Sequence, residues 1–369
     1  MLCQLCSQCV SSSYPTCSSL KQRYDTIAIL LQFHSSLSST EAMTNTLFSY
    51  IRSNEKDDNW SLKYMTLLHF AADKGEKDIV QSIVDNNLIY VNMKDDNGNT
   101  ALSYSVRSGH VECVKILLSH QDIDVNIKNY LGLPSLHLAL HYRHTECAAA
   151  LLSHKDIKVN IQNAGPTPLQ LAILTDNIEC LKLLLYHKDI HVNAQGAQKY
   201  VNKGFTALHC ATSRGDAESV ELLLAHPDIN ANIQDEDGFT ALHHAAGHGF
   251  SKCMQLLLAH PTIDINIQTK SGDTVMHCNV KNGDAETLST LLSDKIIDVN
   301  IKNNDGWIPL HTAAYMNHAE CVKLLLHHKG IDLSIKNNQG QTALHLTSKE
   351  EIKELLKGHG ASLKHPLLL

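Results

Sequence analysis

The sequence predicts an all-α solenoid of stacked antiparallel helix pairs, and three observations predict it. A short motif recurs nine times: TLLHFAADKG at 66, TALSYSVRSG at 100, PSLHLALHYR at 134, TPLQLAILTD at 167, TALHCATSRG at 206, TALHHAAGHG at 240, TVMHCNVKNG at 274, IPLHTAAYMN at 308 and TALHLTSKEE at 342. The steps between copies are 34, 34, 33, 39, 34, 34, 34 and 34 residues. After each motif comes a run such as VECVKILL or AECVKLLL, whose apolar residues fall at i, i+3 and i+4, the spacing of an amphipathic helix. Finally, the chain has 369 residues. Single cores stop growing at roughly 250–300 residues, a limit that a repeat array escapes by growing in one dimension.

Each copy has the same anatomy. Its first residue is usually Thr, which suits a turn-to-helix boundary because its hydroxyl accepts an orphan backbone N–H. Leu stands two positions on, replaced once by Met276, and a small residue, usually Ala, five on, so that helices can approach closely. Nine on, Gly75, Gly109, Gly215, Gly249 and Gly283 end the first helix in the left-handed conformation. Asp176 and Asn317 stand there in the fourth and eighth copies and tolerate that conformation; Arg143 in the third does not, and a local distortion is expected. The second helix follows, then a loop of the type H-x-D-I-D-V-N and a Gly-containing turn into the next copy. One helix pair cannot bury its apolar face alone, so neighbours must stack.

These residues resemble the ankyrin repeat. Its T-P-L-H-x-A signature and roughly 33-residue unit match from Thr66 to about Leu363. This chain departs by one extra loop residue, H-Q-D-I-D-V-N where the family shows H-G-A-D-V-N. The domains read as a disordered Ser/Cys-rich segment 1–23, a divergent helical N-cap 24–60, the repeat array 61–363 and a short tail 364–369. The last copy is shortened, and its charged second helix suits a solvent-facing cap. The long step from 167 to 206 places an insertion in AQGAQKYVNKG (194–204), either a functional loop or drift in a tolerant turn.

Composition narrows the function. A net charge of -7 does not suit a nucleic-acid binder, which displaces counterions with a basic surface. No apolar run approaches the roughly 20 residues needed to span a bilayer. The first residues lack the basic start and apolar core of a secretory signal, so the 11 cysteines read as free thiols in a cytoplasmic protein, with the nucleus as an alternative. Cys113, Cys147, Cys180, Cys253 and Cys321 share an apolar position of the second helix and read as buried hydrophobes. Cys3, Cys6, Cys9 and Cys17 lie outside the repeat lattice; they lack His partners at zinc-finger spacing, and palmitoylation is an alternative.

The 24 histidines invite a metal reading, but most sit on the lattice. Seven occupy the fourth motif position, six the loop after the second helix, and His110, His144 and His318 follow the first helix. The resemblance implies that the first set bonds backbone groups of neighbouring repeats. No phosphate loop, nucleophile elbow or kinase set appears, so no catalytic residue, cofactor or metal is assigned and the chain reads as a non-enzyme. The rivals are an adaptor of a degradation or modification complex recruited through residues 1–60, and an enzyme with attached repeats, for which some 60 leftover residues are too few.

The resemblance further implies protein partners bound by turn tips and the inner face of the first helices. On those positions the sequence places Tyr130, Leu131, Leu133, His141, Tyr142, Leu174, Tyr200 and Phe205, with a second cluster at Trp307, Tyr315 and Met316. The second and sixth copies offer polar tips instead, at Asp95, Asp96 and Asn97 and at Asp235, Glu236 and Asp237. An apolar-aromatic centre with polar flanks is the composition of a protein interface. The resemblance also makes the asparagine of the V-N step a candidate for hydroxylation by a cytosolic oxygenase, best at Asn126, Asn160 and Asn300.

Overall fold

The computed structural model describes residues 60–85, 90–161, 165–196, 204–293 and 297–360. The expected segment 1–23, nearly all of the 24–60 cap, the 364–369 tail and Tyr200 lie outside them. Among the described residues the only regular elements are helices; one isolated bridge pairs Lys128 with Pro134. No described helix is long and apolar enough to cross a membrane.

The chain divides into two compact bodies between Ile157 and Lys158. The first holds α1 (Trp60–Lys74), α2 (Lys77–Asp85), α3 (Ala101–Arg107), α4 (Val111–Leu118), α5 (Ser135–His141) and α6 (Thr145–Leu152). The second begins with α7 (Pro168–Leu174), α8 (Ile178–Leu185), α9 (Ala207–Arg214), α10 (Ala217–Leu224), α11 (Ala241–His248) and α12 (Ser251–Leu258). It ends with α13 (Val275–Asn282), α14 (Ala285–Leu292), α15 (Pro309–Tyr315), α16 (Ala319–His327), α17 (Ala343–Leu346) and α18 (Glu350–Gly358). In each body odd-numbered helices stack on odd and even on even, so every repeat is held by its neighbours.

The lattice residues form the core. Leu102, Leu136, Leu208 and Leu242 are buried, as are Ala71, Ala139, Ala172, Ala211, Ala245 and Ala313, where the first helices meet. Each buried leucine contributes about 2 kcal/mol. All five second-helix cysteines are buried too, with Cys210 and Cys278. Thr100, Thr167, Thr206 and Thr240 cap their helices, each hydroxyl accepting the N–H three residues on.

Two expectations need correction. Thr66 does not cap a helix, because α1 begins at Trp60 and runs through it. Residues 60–65 carry no Gly or Pro to turn the chain, so the helix continues backwards. Arg143 causes no distortion. It takes φ 61°, as Asp176 takes 51° and Asn317 59°. Its N–H reaches Leu140 O at 3.2 Å and that of His144 reaches Ala139 O at 2.9 Å, matching Gly109 and His110. Two backbone bonds and the packed helix pair outweigh a left-handed penalty of about 1–2 kcal/mol.

The ninth repeat is short, as expected. Thr347 turns extended after four residues of α17, donating its hydroxyl to Asn317 Oδ1 at 3.0 Å. In α18 Ile352 and Leu356 face inward, while Glu350, Glu351, Glu354 and Lys357 face solvent.

Candidate partner-binding surface

Five of the finger-like turns among the described residues are built on one side chain, an Asn or Asp five residues before the repeat start. Asn129 Oδ1 accepts the N–H groups of Leu131 and Leu133 at 3.1 and 3.0 Å. Asp95, Asp235, Asn303 and Asn337 do the same in their own fingers. Neighbouring fingers join through backbone: Tyr130 N–H donates to Asn97 O, Lys270 to Asp237 O, Asn304 to Ser271 O and Asn338 to Asp305 O. Sequence reading missed these braces, although an Asn or Asp recurring five before the start was a usable signal. Asp235, expected at a polar tip, is buried, and its second oxygen takes His244 Nε2 at 2.9 Å.

Four fourth-position histidines bridge repeats as the resemblance implied. His69, His209, His277 and His311 donate from Nε2 to the carbonyls of Asn99, Phe239, Trp307 and Gln341, at 3.1, 3.0, 2.9 and 3.2 Å. In the second body Nδ1 accepts the repeat's first N–H, from Thr206, Thr274 and Ile308. Both ring nitrogens are thus committed to the neutral form. Burial pushes His209, His243 and His311 down to about 4. Gln170 takes the same position in the fourth repeat and donates to Phe205 O.

The V-N asparagines clamp the loop after each second helix to the equivalent loop of the next repeat. Asn126 donates to Asp156 O at 2.8 Å, while Asn92 donates to Asp122 O and accepts Asp124 N–H. Asn160 and Asn300 use both ends of the carboxamide, toward Asp189 and His191 and toward Gly330 and Asp332. The hydroxylation candidates are therefore half-buried clamps of the folded array.

The predicted surface residues separate by body. In the first, Tyr130 and Leu131 are 72% and 76% exposed and Tyr142 is 44% exposed; His141 is exposed and Leu133 half-buried. Tyr130 rests on Gly98, where a β-carbon would stand 2.7 Å from the ring. Tyr142 stacks on His144 at 6.3 Å and meets His141 edge-on at 5.0 Å. In the second body Leu174 is half-buried. Phe205 corrects the expectation: it is buried, its ring centroid 4.8 Å from His244 and 5.4 Å from His209, so it serves the core. Trp307 meets Tyr315 edge-on at 5.2 Å, with Tyr315 and Met316 exposed beside it. Tyr90 and Tyr186 are exposed as well and were not singled out from sequence.

A family profile described as ankyrin repeats in three copies matches residues 33–129, 121–196, 191–269 and 262–337. The chain belongs to the ankyrin repeat family. The first match begins inside the segment read as a divergent cap. Among solved structures, the ankyrin repeat domain of Bcl-3, described as a unique member of the IkappaB protein family, is 24% identical. The alignment covers 57% of this chain and 91% of that one, with a TM-score of 0.52, and shows a shared fold. No curated protein matches the chain in sequence. Ankyrin arrays are protein-interaction modules, and protein partners follow from the family.

Proposed function

We propose that this ankyrin protein is a non-catalytic scaffold or adaptor that holds a partner protein on its finger tips and first-helix ends. The observation carrying this reading is the exposed set Tyr130, Leu131 and Tyr142, two of whose rings are already seated on Gly98 and His144. Rings fixed before binding lose little entropy on docking and are the usual anchors of protein interfaces. The pair Trp307 and Tyr315 with Met316 supports a second contact site in the second body. A cytoplasmic setting with no nucleic-acid partner is part of the proposal, supported by the net charge of -7 and the thiol side chains. So is asparagine hydroxylation, which would make the chain a substrate of another enzyme. Recruitment to a degradation or modification complex through residues 1–60 stays a rival, resting on residues outside the described set.

Affinity purification with crosslinking mass spectrometry, run in parallel on the intact chain and on Tyr142→Ala, tests the reading. Partners should crosslink near Lys94 and Lys128 and be depleted by the substitution. Crosslinks confined to residues 1–60 would favour the recruitment rival.

A further inference from the structure

The next step rests on the protein-binding reading and narrows it to one class of partner. The chain carries a net charge of -7, yet the tyrosine-bearing face of the first body has a cationic rim. The Lys94 ammonium lies 5.9 Å from the Tyr130 ring centroid and donates to Lys128 O at 2.9 Å. An ammonium has three donors, so this placement leaves capacity for a carboxylate. The Arg107 guanidinium sits 4.6 Å from the Tyr104 ring centroid.

Two of the neighbouring carboxylates, Asp73 and Asp95, are turned to internal tasks. Asp73 accepts from Arg107 at 3.1 Å and from Ser108 at 2.9 Å. Asp95 accepts the Tyr104 hydroxyl at 2.6 Å as well as two N–H groups of its own finger. Asp96 is exposed at the tip. An incoming segment therefore meets aromatic faces with cations held beside them. A basic segment would have to bring like charges against those cations, whereas an acidic one gains attraction and steering.

We propose that the face built by Tyr130, Leu131 and Tyr142 docks an acidic polypeptide segment bearing an aromatic or leucine side chain. Its carboxylates meet the Lys94 and Arg107 side, and its apolar group covers the tyrosines.

The test is selection of a random peptide library displayed on phage against the full chain, with Tyr142→Ala as counter-target. Sequences that need Tyr142 should be richer in Asp and Glu than in Lys and Arg. A selected peptide should bind Lys94→Glu about tenfold more weakly by fluorescence anisotropy, and binding should weaken as salt rises. Melting of Lys94→Glu followed by circular dichroism confirms that it stays folded. Tyr142-dependent sequences that are basic or uncharged would overturn the acidic assignment and leave the protein-binding reading standing. If no selected sequence depends on Tyr142, the assignment and this face fall together; sequences that depend on Tyr315 would then keep the reading alive through the second body.

Discussion

The imidazole of His144 donates from Nε2 to the carbonyl oxygen of Arg107, 3.1 Å away and one repeat earlier in the chain. His110 makes the same bond to Asp73 O at 2.9 Å. Each ring lies over the glycine that ends the preceding first helix, and Tyr142 stacks on His144. One contact therefore joins two repeats and sets the pose of an exposed tyrosine.

Gly109→Ala should test this joint. Gly109 has φ +76°, and a β-carbon there would stand 2.7 Å from His144 Cε1. Strain at such a site costs on the order of 1–3 kcal/mol, which urea unfolding would read directly. Unchanged stability would mean that the ring is not held where it is seen.

Tyr142→Ala should weaken partner binding at least about tenfold, since a hot-spot truncation costs about 2 kcal/mol and 1.4 kcal/mol is one decade. The side chain is half exposed, so the melting temperature should hardly move. Isothermal titration and a thermal melt on the same preparation separate the two effects. Normal binding by the folded variant would shift attention to Trp307, Tyr315 and Met316.

Asp235→Ala and Glu236→Lys should part company. Asp235 braces its finger through two N–H groups and holds His244, so its loss should cost about 1–3 kcal/mol. Glu236 is exposed, and its reversal should leave stability within about 0.5 kcal/mol while altering association rate and salt dependence. Phe205→Ala, removing a buried ring, should cost about 3–5 kcal/mol.

Acid should destabilise the second body. His209, His243 and His311 are held down to about 4, whereas unfolded histidine titrates near 6.5. The unfolded chain therefore binds protons that the folded chain refuses. Stability is fully present above pH 6.5 and falls as pH drops toward 4, by at most about 1.4 kcal/mol per pH unit for each histidine. Urea midpoints measured across that window should fall steadily; a flat profile would contradict the neutral bridging geometry.

The buried thiols give the mirror case. Burial raises Cys113, Cys147 and Cys321 to about 11. They should resist a maleimide reagent in the native chain and react after denaturation. Stability present below the unfolded thiol value, near 8.5, should be lost as pH rises toward 11. Fast native labelling would place these residues on the wrong helix face.

The bridging histidines were implied by the resemblance to ankyrin repeats; by itself the sequence determined the helix pairs, their order and the buried cysteines. Those follow from local spacing: a 34-residue period fixes which side chains meet, because each repeat touches only its neighbours. The asparagine clamps and finger braces were half legible, recurring in the sequence while their partners lie one repeat away or in the turn itself. Only the tertiary structure decided which surface positions face solvent. Phe205 holds the same tip position as Leu133, one before the repeat start, yet it is buried against the rings of His244 and His209, and Asp235, which holds the brace position of Asn129, turns its second oxygen inward to accept from His244. Arg143 was decided the same way. Its left-handed backbone is unfavourable alone and is imposed by bonds to Leu140 and Ala139 that exist only once the helix pair has formed.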